Sequence, residues 1–469
     1  MCRPFPARLA LIGISALLAA LAHPARVSSR DTGHRGRITR MAPVLSAHVR
    51  EEIPSFSRQT GLACNVCHTA FPQLTAFGRE FKLAGYTLTT RETITQGEGD
   101  ETTLRLPVVP GLSAMLIGSM TSIAGKQPGT QNANVDFPQE LGLFLGGSIS
   151  PHLGGFLQVT YASADGSIAI DNVDLRYANQ TRVGSKRFDY GFSLNNNPTV
   201  QDVWNTVPAW GFPYTGPETA PTPSVSTLIG DDLGAQVAGL GGYFLWNGLL
   251  YGELTAYRSA PQGSPNPPDG ESTSTVEGVA PYWRIALQHR FGKHYLAVGT
   301  FGLSTRLFPE GVVGASDQFV DAAADAQYEV PLAGGAFAAH ASWIHETQNL
   351  DATYTTGGAA NPANTVRSLN LNATWTSKPR VDLSAGMLAI TGDQDSVLYA
   401  PAPVTGSRTG SPESTGFLGE VAWRPWLNAR FAVRYMIWSR FNGAGSDYDG
   451  FGRSAGDNNT LYVYCWLAF

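Results

Sequence analysis

The sequence predicts an all-β fold, a transmembrane antiparallel β-barrel of about sixteen strands that follows a small N-terminal α-helical segment. From about Leu112 onward, segments of roughly ten residues alternate polar and apolar side chains, the pattern of membrane-spanning strands. The connections between these segments alternate between short turns and long loops rich in Gly, Pro, Ser and Asp. Only 15% of the residues are charged, and beyond the N-terminus no apolar run is long enough for a membrane-spanning helix.

The first 43 residues have the pattern of an export signal followed by a leader. Arg3 and Arg8 precede the apolar run 9–21, and Ala20-Leu21-Ala22 is a small-x-small cleavage site, so residues 1–22 are predicted to be a signal peptide. A retained N-terminal anchor is the alternative. Residues 23–43 are polar and basic, which predicts a flexible leader. The net charge of −5 is modest and argues against a nucleic-acid partner.

Residues 44–100 are predicted to be a monohaem cytochrome c segment, because Cys64-x-x-Cys67-His68 has the spacing of covalent haem attachment. Each thiol adds to one vinyl group of the porphyrin, and the adjacent imidazole of His68 is placed to bind the iron from one face. A structural disulfide and half of a zinc site are the alternatives. A second Cys/His pair at zinc spacing is missing from the sequence, so haem c is the preferred cofactor.

A helix is predicted downstream of the motif, because apolar residues recur at helical spacing and a glycine follows them (Leu74, Phe77, Phe81, Gly85). One apolar face of this helix could lie on the porphyrin. Arg79 and Lys82 fall on other faces, where they either meet the haem propionates or stand in solvent as ordinary helix charges. The whole segment is small enough to act as a plug in the barrel.

The second ligand of the haem iron is not marked in the sequence. Small cytochromes usually take it from downstream of the motif, yet no histidine or methionine lies between His68 and residue 110. His48 is the preferred candidate, because a short loop returns it to the haem. The alternatives are three methionines (Met41, Met115, Met120), a residue from elsewhere in the chain, and an iron that is five-coordinate or bound to water.

Residues 104–469 are predicted to form the outer-membrane barrel, and the last strand shows the pattern most clearly. It alternates an apolar row that includes Cys465 with an aromatic row, and it ends on Phe469, as bacterial outer-membrane barrels commonly do. Apolar residues also alternate with arginines in residues 429–440. Inward arginines would tune the selectivity of a pore or pack against a plug (Arg424, Arg430, Arg434, Arg440).

The connections favour a membrane barrel over a soluble sandwich, because short periplasmic turns and long outer loops are typical of the former. Both chain ends then lie on the short-turn side, and sixteen strands leave room for a channel. The longest connection, about 196–233, either folds inward or forms an extracellular loop. Asp231 and Asp232 near its end are either a site that attracts a cation or an ordinary exposed acid pair.

Four stretches of the haem segment form a recognisable pattern: Phe56-Ser-Arg-Gln-Thr-Gly61, Cys64-x-x-Cys67-His68, Phe71-Pro72 and Phe77-Gly-Arg-x-Phe-Lys82. Together they closely resemble the fused monohaem cytochrome–porins of the bacterial outer membrane, a family whose best-known branch oxidises iron(II) outside the cell. The resemblance implies thioether attachment at Cys64 and Cys67 and His68 as the proximal ligand, and it supplies no second ligand.

The same resemblance implies an electron-transfer oxidoreductase of the iron(II):cytochrome c type. Single electrons would pass from an extracellular donor, foremost Fe(II), through one covalent haem to a soluble periplasmic cytochrome. Outer-membrane lipid is the remaining partner, and the haem segment is expected on the periplasmic side or inside the barrel lumen. One alternative is a diffusion porin in which the haem segment is a gate, a sensor or a relic. Another is the same conduit working outward.

Overall fold

The computed structural model describes residues 55–71, 73–97, 104–109, 111–163, 166–198, 202–207, 212–213, 215–230, 233–259, 275–311, 313–377 and 380–469. The predicted signal peptide (1–22) and leader (23–43) lie outside these residues. Met41, His48, Asp231 and Asp232 also lie outside them. No helix among the described residues is long and apolar enough to cross a membrane.

Three short helices and a hairpin form the N-terminal segment, residues 55–107. Helix α3 (Ala76–Leu83) begins after Thr75, whose hydroxyl accepts a hydrogen bond from the Gly78 amide at 3.1 Å, and Gly85 follows its end with φ of +69°. The predicted helix is therefore confirmed for Phe77 and Phe81, whereas Leu74 precedes it and forms a β-bridge with His68. The helices are α1 (Ser55–Thr60), α2 (Cys64–Cys67) and α3 (Ala76–Leu83), and the hairpin strands are β1 (Thr93–Gln96) and β2 (Leu104–Pro107).

Sixteen antiparallel strands in the described part of the chain close into a barrel, as the sequence predicts. The last strand pairs with the first, so that Ala468 lies opposite Met115, and β9 pairs with β11 across the chain segment between them. The short strand β10 (Thr275–Val276) pairs with the end of β12, at Leu307 and Phe308. The barrel strands are β3 (Leu112–Ile123), β4 (Asn134–Ser148), β5 (Leu153–Ala162), β6 (Ser167–Val183), β7 (Lys186–Asn195), β8 (Val237–Trp246), β9 (Leu250–Ser259), β11 (Ala280–Phe291), β12 (His294–Phe308), β13 (Asp317–Leu332), β14 (Gly335–Asn349), β15 (Ala363–Ser377), β16 (Val381–Gly392), β17 (Ser414–Trp426), β18 (Ala429–Arg440) and β19 (Thr460–Ala468).

The outer face of the barrel is apolar and the inner face is polar. Along β18, Val433 and Ile437 expose 50% and 45% of their surface, whereas the intervening Arg434 is buried. A water-soluble protein would have the opposite arrangement, because exposed contiguous apolar surface of this extent is unfavourable in water. An outward apolar band with an inward polar face is the arrangement of a membrane barrel. The barrel wall therefore contacts lipid.

Short turns join the strands at one end of the barrel, and longer connections join most of them at the other. The short turns follow β4, β6, β8, β11, β13, β15 and β17, so the alternation of short and long connections agrees with the sequence prediction. β3 starts and β19 finishes at the short-turn end, so the N-terminal segment enters the barrel there. At the opposite end the long loops are folded against each other. Asp395, for example, accepts backbone N–H bonds from Ala360, Val397 and Leu398.

Candidate functional site

The N-terminal segment is bonded to inward-facing residues around the barrel wall. It forms hydrogen bonds with strands β3, β4, β6, β8, β13 and β15, which are distributed around the circumference of the barrel. The Arg79 guanidinium forms an ion pair with Glu329 of β13 at 2.8 Å, and it lies 4.2 Å from the centre of the Tyr295 ring. Tyr86 donates to Asp174 of β6 at 2.5 Å. The segment therefore lies against the inner wall at the short-turn end of the barrel.

The Cys-x-x-Cys-His motif is held in one defined geometry by its neighbours. Cys64 to Cys67 form the single helical turn α2, closed by a hydrogen bond from the His68 amide to the Cys64 carbonyl. The Thr75 amide donates to the Cys67 carbonyl at 2.9 Å, and its hydroxyl donates to the Val66 carbonyl at 2.6 Å. Thr75 thus fixes α2 and caps α3 at the same time.

Gly78 allows α3 to pack directly on α2. A Cβ atom at this position would lie 2.2 Å from the Cys67 carbonyl oxygen, closer than non-bonded atoms can approach. Only glycine permits this contact without moving one of the two helices. The sequence Phe77-Gly78-Arg79 therefore has a packing role that helical periodicity does not reveal.

A cavity of about 620 Å³ lies beside the motif, between the N-terminal segment and the barrel wall. Its volume falls in the range of small-molecule and cofactor pockets. Cys64, Cys67 and His68 all line it, as the haem hypothesis requires. Its remaining lining is largely aromatic and aliphatic, which suits a porphyrin face. The apolar lining includes Phe56, Phe71, Phe81, Phe144, Phe156, Phe337 and Trp466.

The donor set of the cavity fits haem c. Cys64 and Cys67 are not joined in a disulfide, so both sulfurs are available for thioether bonds. Burial raises the pKa of the Cys64 thiol, and burial together with the charge of Cys64 raises that of Cys67 to about 12. Among the described residues, no group of three or more His, Cys, Asp or Glu side chains is arranged to hold a metal ion.

The two basic residues of α3 differ in position. Arg79 is 1% exposed, paired with Glu329 and absent from the cavity lining, so neither a propionate contact nor a solvated charge describes it. Lys82 is also buried, which contradicts the solvated interpretation, but it does line the cavity. Burial and the nearby charge of Arg176 lower the pKa of Lys82 to about 8.

The candidates for the second iron ligand are separated by the structure. Met115 is 3% exposed, points inward from β3 and lines the cavity together with His68. Met120 lies on the same strand and is absent from the cavity lining. His48 and Met41 lie outside the described residues.

The described part of the long connection between β7 and β8 folds inward, which is one of the two predicted alternatives. It bonds to opposite walls of the barrel. The Gly216 carbonyl accepts a hydrogen bond from the Gln139 side chain of β4 at 3.0 Å, and the Ile229 amide donates to Asp321 of β13 at 3.1 Å. The Trp204 indole donates to the Tyr295 hydroxyl at 3.1 Å. Asn205 also lines the cavity. The described part of this connection therefore covers the N-terminal segment from the lumen side.

The lumenal arginines are paired rather than free. Arg430 bridges Asp382 and Glu420, while Arg434 joins Glu420 and donates to two backbone carbonyls of the inward connection. Arg424 pairs with Asp382 at 2.7 Å and lines the cavity. Arg440, half exposed, pairs with Glu413 instead. Arginines 424, 430 and 434 pack the lumen.

The strand closure, the apolar outer face and the filled end together define a transmembrane β-barrel with an internal N-terminal segment. No protein-family model matches this chain, and no curated protein matches it. Solved structures that it resembles include OmpT of Vibrio cholerae, at 10% identity, with 80% of this chain and 100% of that chain covered and a TM-score of 0.42. Another is OmpF of Salmonella typhi in complex with daunomycin, at 12% identity, with 76% and 97% covered and a TM-score of 0.44. The outer-membrane channel DcaP of Acinetobacter baumannii is similar at 14% identity, with 76% and 96% covered and a TM-score of 0.44.

Proposed function

We propose that this chain is an outer-membrane electron conduit of the fused monohaem cytochrome–porin family. It carries one haem c and passes single electrons from extracellular Fe(II) to a soluble periplasmic cytochrome, an iron(II):cytochrome c type of oxidoreductase. The observation that carries the proposal is the shared lining of one cavity by Cys64, Cys67 and His68, inside the end of a membrane barrel.

Three of this chain's residues would hold the haem. Cys64 and Cys67 would form the two thioether bonds, and His68 would bind the iron. Phe71 lies beside His68, with ring centres 5.3 Å apart, and limits the orientations open to the imidazole. When bound, the haem supplies one-electron chemistry, and the surrounding side chains set its potential through ligation and burial.

The filled lumen supports a conduit over an open pore. A lipid bilayer insulates an external donor from a periplasmic acceptor, so a redox centre inside a barrel provides a route that lipid does not. The N-terminal segment occupies one end of the barrel, and the inward connection lies against it. The paired arginines of β17 and β18 add to this packing.

Anaerobic reduction of the purified holoprotein tests the proposal. Fe(II) is added while the optical spectrum of the haem is recorded, with dithionite as the positive control. We expect Fe(II) to reduce the haem. A haem that dithionite reduces and Fe(II) leaves oxidised would contradict the iron donor. A variant with Cys64→Ala and Cys67→Ala provides the matched control, because it keeps the barrel and loses covalent attachment.

Planar-bilayer conductance separates the conduit from the diffusion porin. A sixteen-stranded barrel is wide enough to leave a channel, so an open pore is the natural rival. The filled lumen predicts near-silent bilayers for the haem-loaded protein. Large, steady channels in that protein would favour the porin, with the haem segment as a gate, a sensor or a relic.

A further inference from the structure

We propose that the Met115 thioether is the second axial ligand of the haem iron. The inference rests on the proposed function, because it needs a haem at Cys64 and Cys67. Among the described residues that line the cavity, His68 is the one histidine and Met115 the one methionine. Imidazole and thioether are a pair of ligands that holds haem iron in cytochromes c.

Met115 comes from the barrel wall and not from the haem segment. It faces inward from β3, between Gly142 of β4 and Ala468 of β19, its two cross-strand partners. Both partners are small. A Cβ atom on Gly142 would lie 3.4 Å from the Met115 methyl carbon and 3.1 Å from the Phe144 ring, so glycine leaves these side chains their space. The thioether is therefore flexible at its tip and anchored on a rigid strand.

Two other side chains in the cavity contain atoms that bind iron, and both are held in less suitable states. Tyr86 donates its hydroxyl proton to Asp174, and burial and the Asp174 charge raise its pKa well above the usual value. A neutral phenol is a weak ligand. Lys82 must lose a proton before its amine can bind. The methionine thioether carries no proton at its sulfur, so it needs no deprotonation before it binds.

An iron ligand on the barrel wall would affect both the position of the N-terminal segment and the reduction potential of the haem. The haem would join the N-terminal segment, through His68, to the barrel, through Met115, so haem loading would lock the plug in place. Histidine–methionine ligation also raises the reduction potential relative to other ligand sets. A higher potential favours uptake of an electron from a weak reductant such as Fe(II).

The test uses the full-length, haem-loaded protein in three variants, with optical and electron-paramagnetic resonance spectra and a redox titration. Met115→Leu removes the sulfur and keeps the volume. Met115→His tests rescue, and Met120→Leu is the matched control on the same strand. We expect a low-spin wild-type haem with a sulfur-to-iron charge-transfer band. The haem of the Met115→Leu variant should lose both features. Its affinity for an electron should fall at least tenfold, which lowers its reduction potential by at least about 59 mV.

Each remaining outcome decides the question. Met115→His should restore a low-spin haem with the spectrum of two imidazoles, which a merely structural residue would not do. A high-spin wild-type haem would overturn the inference, as would a low-spin spectrum and unchanged potential in Met115→Leu. Loss of the low-spin state in Met120→Leu would also overturn it. Haem staining after denaturing electrophoresis tests attachment separately: an unstained wild-type band removes the proposed function, whereas a stained band with unchanged Met115→Leu spectra removes this inference alone.

Discussion

The ion pair between Arg79 and Glu329 should anchor the N-terminal segment in the barrel, and Glu329→Gln tests this directly. Arg79 belongs to α3 and Glu329 to β13, and their side chains expose 2% and 12% of their surface. The substitution keeps the size of the side chain and leaves the guanidinium buried without its carboxylate. Breaking a buried pair in this way destabilises proteins by about 3–5 kcal/mol.

The lower end of that range applies here, because Arg79 keeps two other partners. Its guanidinium still donates to the Leu74 carbonyl and still lies over the Tyr295 ring. A loss of about 3 kcal/mol corresponds to a change of roughly 100-fold in the equilibrium between docked and released segment. We therefore expect the amides of α3 to lose roughly two orders of magnitude of hydrogen-exchange protection.

Hydrogen exchange measured by mass spectrometry on the lipid-reconstituted protein is the assay. Glu413→Gln is the matched control, because it removes the partner of Arg440 in an exposed pair at the loop end. Exposed pairs contribute about 0–1 kcal/mol, so this control should leave α3 almost unchanged. If the amides of α3 are equally protected from exchange in the Glu329→Gln and Glu413→Gln variants, the ion pair between Arg79 and Glu329 does not hold the N-terminal segment in place.

Three further predictions follow from local contacts. Gly78→Ala should abolish most covalent haem loading, measured by haem staining, because its Cβ would collide with the Cys67 carbonyl; Gly419→Ala, which has open space around it, should load normally. In haem-free folded protein, Cys67 should react with iodoacetamide roughly a thousand-fold more slowly at pH 7 than an exposed cysteine, and the rate should climb with pH toward its pKa of about 12. Burial alone would raise the pKa of Asp395, but backbone donors such as the Leu398 amide hold it at about 2. The Asp395 carboxylate therefore contributes fully to loop stability above about pH 4, and this contribution is lost as the pH falls through 2. Proteolysis of the loop should increase over that pH range, and Asp395→Asn should show a similar increase already at about pH 7.

Alternation along the chain made the barrel predictable. A strand reverses the direction of its side chains at every residue, so Tyr462, Tyr464 and Trp466 had to share one face and Val463 and Cys465 the other. Turn length is also local information. The strand count, the closing of the chain ends and the short-turn end could therefore be predicted without any contact between distant residues.

The composition of the cavity could not be predicted in this way, because it depends on residues far apart in the sequence. Arg79 and Glu329 are 250 positions apart, and nothing in either neighbourhood indicates their pairing. Periodicity placed Arg79 off the apolar face of its helix, so it was expected near propionates or in solvent. Inside a barrel, however, every face of a helix can be buried. Lys82, on the same helix, is buried for the same reason.

The candidates for a second iron ligand illustrate this limit of sequence-based prediction most clearly. Proximity in sequence favoured His48, which lies outside the described residues, over Met115. The structure places Met115 on the cavity because β3 begins at the end of the barrel that the N-terminal segment fills. The signal was present in the alternation of β3, which separates inward Met115 from Met120. This alternation could be connected with the cavity only once the position of the N-terminal segment in the barrel was known.

Electron transfer across a sealed membrane tests the central claim most directly. The holoprotein is reconstituted in lipid vesicles that enclose an oxidised soluble cytochrome c, and Fe(II) is added outside under anaerobic conditions. A conduit predicts reduction of the enclosed cytochrome, at a rate that depends on the amount of holoprotein and falls to the lipid background with the Cys64→Ala, Cys67→Ala variant. An enclosed cytochrome that stays oxidised, in vesicles whose haem dithionite reduces, would contradict the conduit.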